Sequence, residues 1–429
     1  MKAISPLVIG MVLLAAILLV FTATGRCMDK PATLWNSYAS HFIDQQGRVV
    51  DPQGADRTTS EGQSYALFFA LVENDRPRFD RLLEWTQANL AAGDMAAHLP
   101  GWLWGKAPDG TWKLLDPSPA ADSDCWIAYD LLEAGRLWNQ PAYTLLAHRM
   151  MARIARQEVS DLPGFGPMLM PGTTALWVHN HVWTLNPCYT PLFIFDRFAQ
   201  ADPAGPWESI AANLPRLLRE SNRGGFAMDW VNYSPTLGFS PAPAPVAPKP
   251  KPAAPTTPGV APKQPTAAVA PVIPPAPVVP PAPANPPAPV IPAAWGSYDA
   301  IRVYLWAGML DNDARGRKEI LAFLSGMAAY LANHDAPPEK VSAEGIPLAQ
   351  DGPVGFSAAV LPYLRALPGT DKSFARQQDR MGEQLVASTG LYGKDPAYYD
   401  QNLALFATGF LQARFRFGIH GELKVDWTR

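Results

Sequence analysis

The segment from Thr58 to Tyr65 places a carboxylate at the predicted start of a helix. It reads Thr-Thr-Ser-Glu-Gly-Gln-Ser-Tyr, and its hydroxyl residues are candidate N-caps. Apolar residues then recur with the spacing of one helical face, at Tyr65, Phe68, Phe69 and Val72. Glu61 is therefore expected in or just before the first turn, where free N–H groups stabilise an anion. Proton donation at neutral pH would need burial that overrides this effect. A capping glutamate without chemistry is the alternative.

Three further groups of polar residues stand at predicted helix starts. They are Asp122 with Asp124, Asn186 with Tyr189, and Asp299 with Arg302. In a barrel of paired helices, alternate helices run in the same direction, so their starts gather at one end. Carboxylates that converge there can hold sugar hydroxyls and move protons, which is the chemistry that a polysaccharide cleft requires.

A tryptophan pair interrupts the helical pattern between Leu99 and Gly105, which read Leu-Pro-Gly-Trp-Leu-Trp-Gly. Alternate residues of an extended segment point the same way, so Trp102 and Trp104 are expected to share a face. Indole rings stack on the C–H surfaces of sugars. The flanking Pro and Gly favour a cleft position over the alternative, which is core packing.

The order of predicted elements indicates an all-α fold. About a dozen helices occur in pairs with short extended pieces between them, without βαβ alternation, which favours a toroid of paired helices over residues 30–429. Residues 241–294 hold nearly half of the 46 prolines and no Asp or Glu. We expect a long disordered insertion inside this single domain. It would act as a solvated spacer, with a tether or docking arm as the alternative.

The composition of the chain limits the classes of protein to which it can belong. A net charge of −3 and a pI near 6.2 do not indicate a protein that binds nucleic acid. Residues 1–25 have a positive start and an apolar run of signal-peptide length, so we expect a periplasmic or secreted protein. An uncleaved anchor, the one expected membrane contact, is the alternative. The sparse cysteines Cys27, Cys125 and Cys188 are predicted to be small buried thiols rather than a disulfide framework.

Several motifs in order resemble glycoside hydrolase family 8. The principal ones are Thr-Ser-Glu-Gly-Gln-Ser-Tyr (59–65), Ala-Asp-Ser-Asp-Cys-Trp-Ile-Ala (121–128) and Tyr-Asp-Ala-Ile-Arg (298–302). Residues 99–105, Leu-Asn-Pro (185–187) and Tyr-Tyr-Asp-Gln-Asn-Leu (398–403) strengthen the resemblance, which covers 35–417 outside the insertion. It implies an (α/α)6 barrel with short β-hairpins, and inverting endo-hydrolysis of β-1,4-glucan without metal or cofactor. It also implies a link to cellulose synthesis and export, with the cellulose synthase complex as a partner.

The resemblance also implies roles for individual residues. Glu61 matches the general acid, Asp299 the general base, and Asp122 the carboxylate that binds and distorts the sugar beside the cleaved bond. Inversion requires acid and base about 6.5–9.5 Å apart, with a water between them. Arg302 is expected to keep the base ionised, and Tyr189 to help place the water. Further substrate contacts are predicted at Trp102, Trp104, Asp124, Asn186, Tyr398 and Tyr399.

The match to the family has departures, and other interpretations stay open. Ala121 and Ser123 flank Asp122 where the family usually has Ser or Thr before it and Ala or Gly after it. Cys188 stands at a position where the family commonly has Ser.

Asp124 could instead anchor the helix start on backbone groups. The histidines of Trp-Val-His-Asn-His-Val-Trp, His179 and His181, are expected to form ordinary hydrogen bonds rather than a metal site. Alternative functions are cleavage of xylan, mixed-linkage glucan or chitosan, or glycan binding beside the synthase with vestigial hydrolysis.

Overall fold

The computed structural model describes residues 33–222, 224–243 and 294–428. The predicted signal segment, Cys27 and most of the predicted insertion lie outside these ranges. The described helices are α1 (Leu34–Phe42), α2 (Ser60–Val72), α3 (Arg76–Leu90), α4 (Ala121–Leu137), α5 (Pro141–Gln157), α6 (Leu192–Ala201), α7 (Trp207–Ser221), α8 (Ala300–Met309), α9 (Arg317–Phe323), α10 (Ser325–Leu331), α11 (Val354–Arg365), α12 (Asp371–Gln384) and α13 (Tyr398–Leu411). In this part of the chain, no helix combines the length and apolar composition needed to cross a bilayer.

Short antiparallel strands connect the helices. They are β1 (Thr58–Thr59), β2 (Gly101–Lys106), β3 (Trp112–Pro119), β4 (Val159–Leu162), β5 (Gly166–Leu169), β6 (Val178–His179), β7 (Val182–Leu185), β8 (Trp230–Ser234), β9 (Gly238–Ala242), β10 (Trp295–Gly296), β11 (Val341–Ser342), β12 (Leu385–Val386), β13 (Leu391–Tyr392), β14 (Phe415–Phe417) and β15 (Leu423–Val425). One sheet has the order β1-β2-β3 and another the order β6-β7-β8-β9, while the remaining strands form two-stranded pairs.

Six helices form a closed inner ring. Going round the ring, α2, α4, α6, α8, α11 and α13 each contact the next, and α13 returns to α2. Most of their residues are buried, because the ring is covered on its outside by the helices paired with it. The more polar α3, α5, α7, α9 and α12 lie in that outer layer. The predicted (α/α)6 barrel with short β-hairpins is confirmed.

Large aromatic side chains from different inner helices meet on the barrel axis. Trp126 on α4, Trp306 on α8 and Phe406 on α13 have ring centroids 5.1–5.3 Å apart. Tyr65 on α2 packs edge-on against Phe406 at 5.1 Å. All four side chains are buried, and edge-to-face aromatic pairs add to the stability gained from burial alone. This cluster therefore ties the inner helices together directly below their N-terminal ends.

Several sequence-based boundaries need correction. Pro241 and Ala242 belong to β9, where Pro241 faces Val231 across the ladder, so the predicted insertion begins later than expected. The proline is tolerated because β9 is an edge strand. The helical spacing of apolar residues favours one helix over 314–332 and another over 399–417. The first is divided between α9 and α10, and the second corresponds to α13, which ends at Leu411. Cys125 and Cys188 are buried and unbridged, as predicted.

The closest approach of α8 to α11 occurs at a glycine. A Cβ on Gly308 would lie 2.1 Å from the backbone nitrogen of Tyr363, so Gly308→Ala should lower the free energy of unfolding by about 1–3 kcal/mol through overpacking. Gly382 on α12 has open space around its Cβ position. Gly382→Ala should therefore raise stability by about 0.5–1 kcal/mol. Urea denaturation measures both, and equal effects would contradict this account of the helix contact.

Candidate active site

A cleft with a volume of about 220 Å³ opens at the N-terminal ends of the inner helices. Its lining includes seven residues for which a functional role was predicted: Glu61, Trp102, Asp122, Tyr189, Asp299, Arg302 and Tyr398. Residues far apart in the chain therefore meet here because alternate helices of the barrel start at the same end. The expected convergence of helix starts is observed.

Arg302 binds three carboxylates from three inner helices. Its Nη1 donates hydrogen bonds to Glu61 Oε2 and to Asp122 Oδ2, the latter at 3.2 Å, while Nη2 donates to Asp299 Oδ1 at 2.6 Å. The side chain is only 3% exposed. Nη1 also donates to the hydroxyl of Tyr65 at 2.9 Å. The guanidinium thus rests on the aromatic cluster and lies between Glu61 and Asp299.

Glu61 lies in the first turn of α2, as predicted. Thr59 caps this helix, since its hydroxyl accepts a hydrogen bond from the N–H of Gly62 at 3.1 Å. The Tyr398 hydroxyl donates to Glu61 Oε1 at 3.1 Å. The Glu61 side chain is 19% exposed, so the carboxyl is oriented by Arg302 and Tyr398 while it faces the cleft.

Asp122 is the most buried of the three carboxylates bound by Arg302. Burial raises the pKa of Asp122 to about 6, Arg302 opposes this shift, and the charge of Glu61 adds to it. Its Oδ1 accepts the N–H of Ser123 at 2.8 Å. The charged form is therefore held by a cation and a backbone amide, and it predominates at pH 7.

Asp299 is the N-cap residue of α8 but does not cap the helix with its own side chain. Its carboxylate is 26% exposed to the cleft, and the thiol of Cys188 lies 4.0 Å from its Oδ1. The capping group comes from Asp229, whose Oδ1 accepts the N–H groups of Ser297 and Ala300. Sequence reasoning missed Asp229. Its one signal in the sequence was an acidic residue directly before the residues that form β8.

The two tryptophans of the interrupted segment have different surroundings. Trp102 lines the cleft. Trp104 stacks on Trp112 with ring centroids 5.0 Å apart and lies under the guanidinium of Arg48. The ladder between β2 and β3 shifts register on both sides of Leu103, and the extra residues lie in β3. Trp102 adjoins the three carboxylates, whereas Trp104 is not part of the lining of this cleft, so its contact with substrate stays a prediction.

Asp124 does not line the cleft, contrary to its predicted substrate contact. It is fully buried, and neither of its oxygens accepts a hydrogen bond from an amide, hydroxyl or cation of the described residues. Its carboxyl bonds instead to that of Glu158, which is buried to the same degree. Burial raises both pKa values, that of Glu158 to about 8. The pair therefore shares a proton at neutral pH, which also rules out the backbone-anchor interpretation.

The remaining predicted residues support the cleft from its surroundings. Asn186 is buried, and its Oδ1 accepts the N–H of Cys188 at 3.1 Å, which holds the 3-10 turn that carries Tyr189. Arg302 lies 5.8 Å from the ring centroid of Tyr189. The Tyr399 hydroxyl donates to the carbonyl of Tyr298, next to Asp299. Asn186 and Tyr399 thus act on the backbone near the site.

Comparisons with known proteins were made for the whole chain. A model of the family described as Glycosyl hydrolases family 8 matches residues 8–246. An endoglucanase of Xanthomonas axonopodis pv. citri (strain 306) is 42% identical over 402 residues, covering 92% of this chain and 90% of the relative. An endoglucanase of Escherichia coli (strain K12) is 36% identical over 421 residues, covering 98% and 96%. The crystal structure of an endo-1,4-D-glucanase from Vibrio fischeri ES114 superimposes with a TM-score of 0.74 at 33% identity, covering 92% and 99%.

The Asp124–Glu158 pair predicts a pH dependence of stability. An unfolded Glu158 loses its proton near pH 4.5, whereas the folded protein keeps it until about pH 8. The stability that this proton contributes is therefore fully present below pH 4.5 and is lost as the pH rises towards 8. Glu158→Gln cannot ionise, so its free energy of unfolding should fall less between pH 5 and pH 8 than that of the wild type. Urea denaturation at each pH measures the difference.

The matched control is Glu319→Gln, which alters an exposed glutamate on α9. This variant should follow the wild-type pH dependence. If Glu158→Gln also follows it, the pair does not hold a proton in the folded state.

Proposed function

Because this chain belongs to glycosyl hydrolase family 8, we propose that it is an endo-β-1,4-glucanase that inverts the configuration at the anomeric carbon. The observation that carries the proposal is the arrangement of Glu61 and Asp299 on the two terminal nitrogens of Arg302, both open to one cleft. Its relatives named above are endoglucanases, which indicates the glucan and the internal position of the cleaved bond. An open cleft also suits a long chain that passes through it.

Glu61 acts as the general acid in this proposal. It gives its proton to the glycosidic oxygen, so that the leaving sugar departs as a neutral alcohol. Tyr398 fixes the position of the carboxyl through Oε1 and Arg302 through Oε2. Because both contacts come from other helices, the acid cannot turn away from the cleft without losing one of them.

Asp299 acts as the general base. It removes a proton from a water molecule, which attacks the anomeric carbon from the face opposite the leaving group. The bond from Arg302 Nη2 favours the charged carboxylate that this step requires. Tyr189 lies in the same cleft wall, where its hydroxyl helps to place the water.

Asp122 and Trp102 bind the sugar. A charged, rigidly held carboxylate such as Asp122 accepts hydrogen bonds from ring hydroxyls, and these bonds favour a distorted ring near the cleaved bond. Trp102 offers an indole face to the apolar side of a neighbouring sugar. These contacts account for binding without a metal or cofactor.

We also propose that the protein is exported to the periplasm or secreted, where it trims β-1,4-glucan during cellulose synthesis and export, with the cellulose synthase complex as a partner. The support is the sequence of residues 1–25, with its positive start and apolar run.

Fractionation of cells that express the full chain should place the protein outside the cytoplasm. A variant with Leu13→Arg and Leu14→Arg should stay inside, and equal export of both would contradict the signal function.

The catalytic assignment predicts the effect of two isosteric changes. Glu61→Gln removes the transferable proton and Asp299→Asn removes the base, so each should lower the rate of carboxymethyl-cellulose hydrolysis by at least about 100-fold. Glu73→Gln is the matched control, because Glu73 is also paired with an arginine, Arg414, but lies outside the cleft. Its activity should stay near that of the wild type. Reducing-sugar release measures all three, and thermal unfolding checks that they fold.

Two further measurements sharpen this test. Proton NMR of the first product should show the α-anomer, and retention of the β-configuration would refute the role of Asp299. A panel of xylan, mixed-linkage glucan and chitosan beside carboxymethyl-cellulose identifies the glycan. A preference for another member of the panel would keep the mechanism and change the substrate.

A further inference from the structure

We propose that Asp229 is a positioning residue for Asp299, because its carboxylate binds the backbone on both sides of the Tyr298–Asp299 dipeptide. The inference rests on the role given to Asp299 under the proposed function. Asp229 does not touch the reacting atoms. It fixes the position of the backbone that carries the general base, Asp299.

The contacts of Asp229 define a clamp on the start of α8. Its Oδ1 accepts the N–H of Ser297 at 2.7 Å and the N–H of Ala300 at 2.8 Å. Its own N–H donates to the carbonyl of Trp295 at 2.9 Å. The side chain and the main chain of one residue thus hold both strand β10 and the first amide of α8.

The clamp matters because Asp299 leaves its own helix uncapped. An aspartate at an N-cap usually accepts an N–H of the first turn with its side chain, but Asp299 makes no such bond and extends to Arg302 instead. Asp229 satisfies the freed amide from another segment of the chain. Two other groups hold the same turn. The hydroxyl of Ser297 donates to the carbonyl of Glu339, and Tyr399 donates to that of Tyr298. Of these contacts, only the one from Asp229 reaches the amide that directly follows Asp299.

The clamp does not depend on a negative charge at Asp229. Asp229 is 7% exposed, and burial followed by the charge of Asp299 raises its pKa to about 7, while the two amides and Arg302 oppose the shift. A neutral carboxyl still accepts both N–H groups through Oδ1.

The test compares Asp229→Ala, which removes both the acceptor and the charge, with Asp229→Asn, which keeps an oxygen that can accept both amides. Asp229→Ala should lower kcat on carboxymethyl-cellulose by at least about 10-fold with KM nearly unchanged, since a small misplacement of a catalytic group is costly. Asp229→Asn should lose less activity, because its amide oxygen can still accept the N–H groups of Ser297 and Ala300.

Asp75→Ala is the matched control for the loss of a helix cap. Asp75 caps α3 by accepting the N–H of Arg78 and lies outside the cleft. Its replacement should lower the melting temperature and leave kcat unchanged. This control separates a general loss of stability from displacement of the base.

The outcomes distinguish this inference from the proposed function. If Asp299→Asn is active, the role of the base fails. If Asp299→Asn is inactive while Asp229→Ala keeps wild-type kcat, only the inference on Asp229 is overturned. Equal losses in Asp229→Ala and Asp229→Asn would also overturn it, because the acceptor oxygen would then have no effect. Should Asp229→Ala fail to fold, Asp229→Glu, which displaces the acceptor oxygen by one methylene, takes its place, and a wild-type kcat in that variant counts against the proposal.

Discussion

The structure of the cleft depends on one buried cation that is shared by three carboxyl groups. Arg302 contacts Glu61, Asp122 and Asp299, and these residues come from three different helices of the inner ring. Without a central positive charge, ionised carboxylates this close together would repel one another. The guanidinium offsets that repulsion, so that charged carboxylates can stand beside the group that donates a proton. The position of each carboxylate is therefore coupled to that of the other two.

The cation itself has to be held from below, and the barrel supplies that support. Tyr65 accepts a hydrogen bond from Nη1 and packs against Phe406, which is part of the aromatic cluster on the barrel axis. Close-packed aromatic side chains tolerate little displacement. The guanidinium is therefore supported by rigidly packed aromatic side chains, while the carboxylates that it binds remain partly open to the cleft. The buried core of the fold thus determines the position of the chemical groups at its end, while strand β2 adds Trp102 and the 3-10 turn after β7 adds Tyr189.

The sequence predicted those parts of the site that depend on the spacing of nearby residues. Glu61 and Asp122 lie in first turns because capping residues and apolar spacing mark helix starts, and Arg302 reaches Asp299 because it follows by one turn of α8. Contacts between distant segments were not predictable in the same way. Nothing local shows that Asp124 meets Glu158, or that Asp229 caps a helix about 70 residues later, since only the folded chain brings them together. In the same way, the spacing of Trp102 and Trp104 does not show that Trp104 stacks on Trp112 of the neighbouring strand.

The proline-rich segment enters and leaves the fold at a single place. The residues before it end in β9, where Ala242 faces Trp230, and the residues after it begin at β10, where Trp295 is bonded to Asp229. Asp229 and Trp230, which are adjacent in the chain, therefore hold the residues on both sides of the proline-rich segment. The distance that the segment must bridge is set by the barrel and does not depend on how many residues bridge it. Because the entropy of closing a loop grows only with the logarithm of its length, this position can accept additions or deletions in evolution at little cost, while Asp299, four residues beyond Trp295, keeps its place.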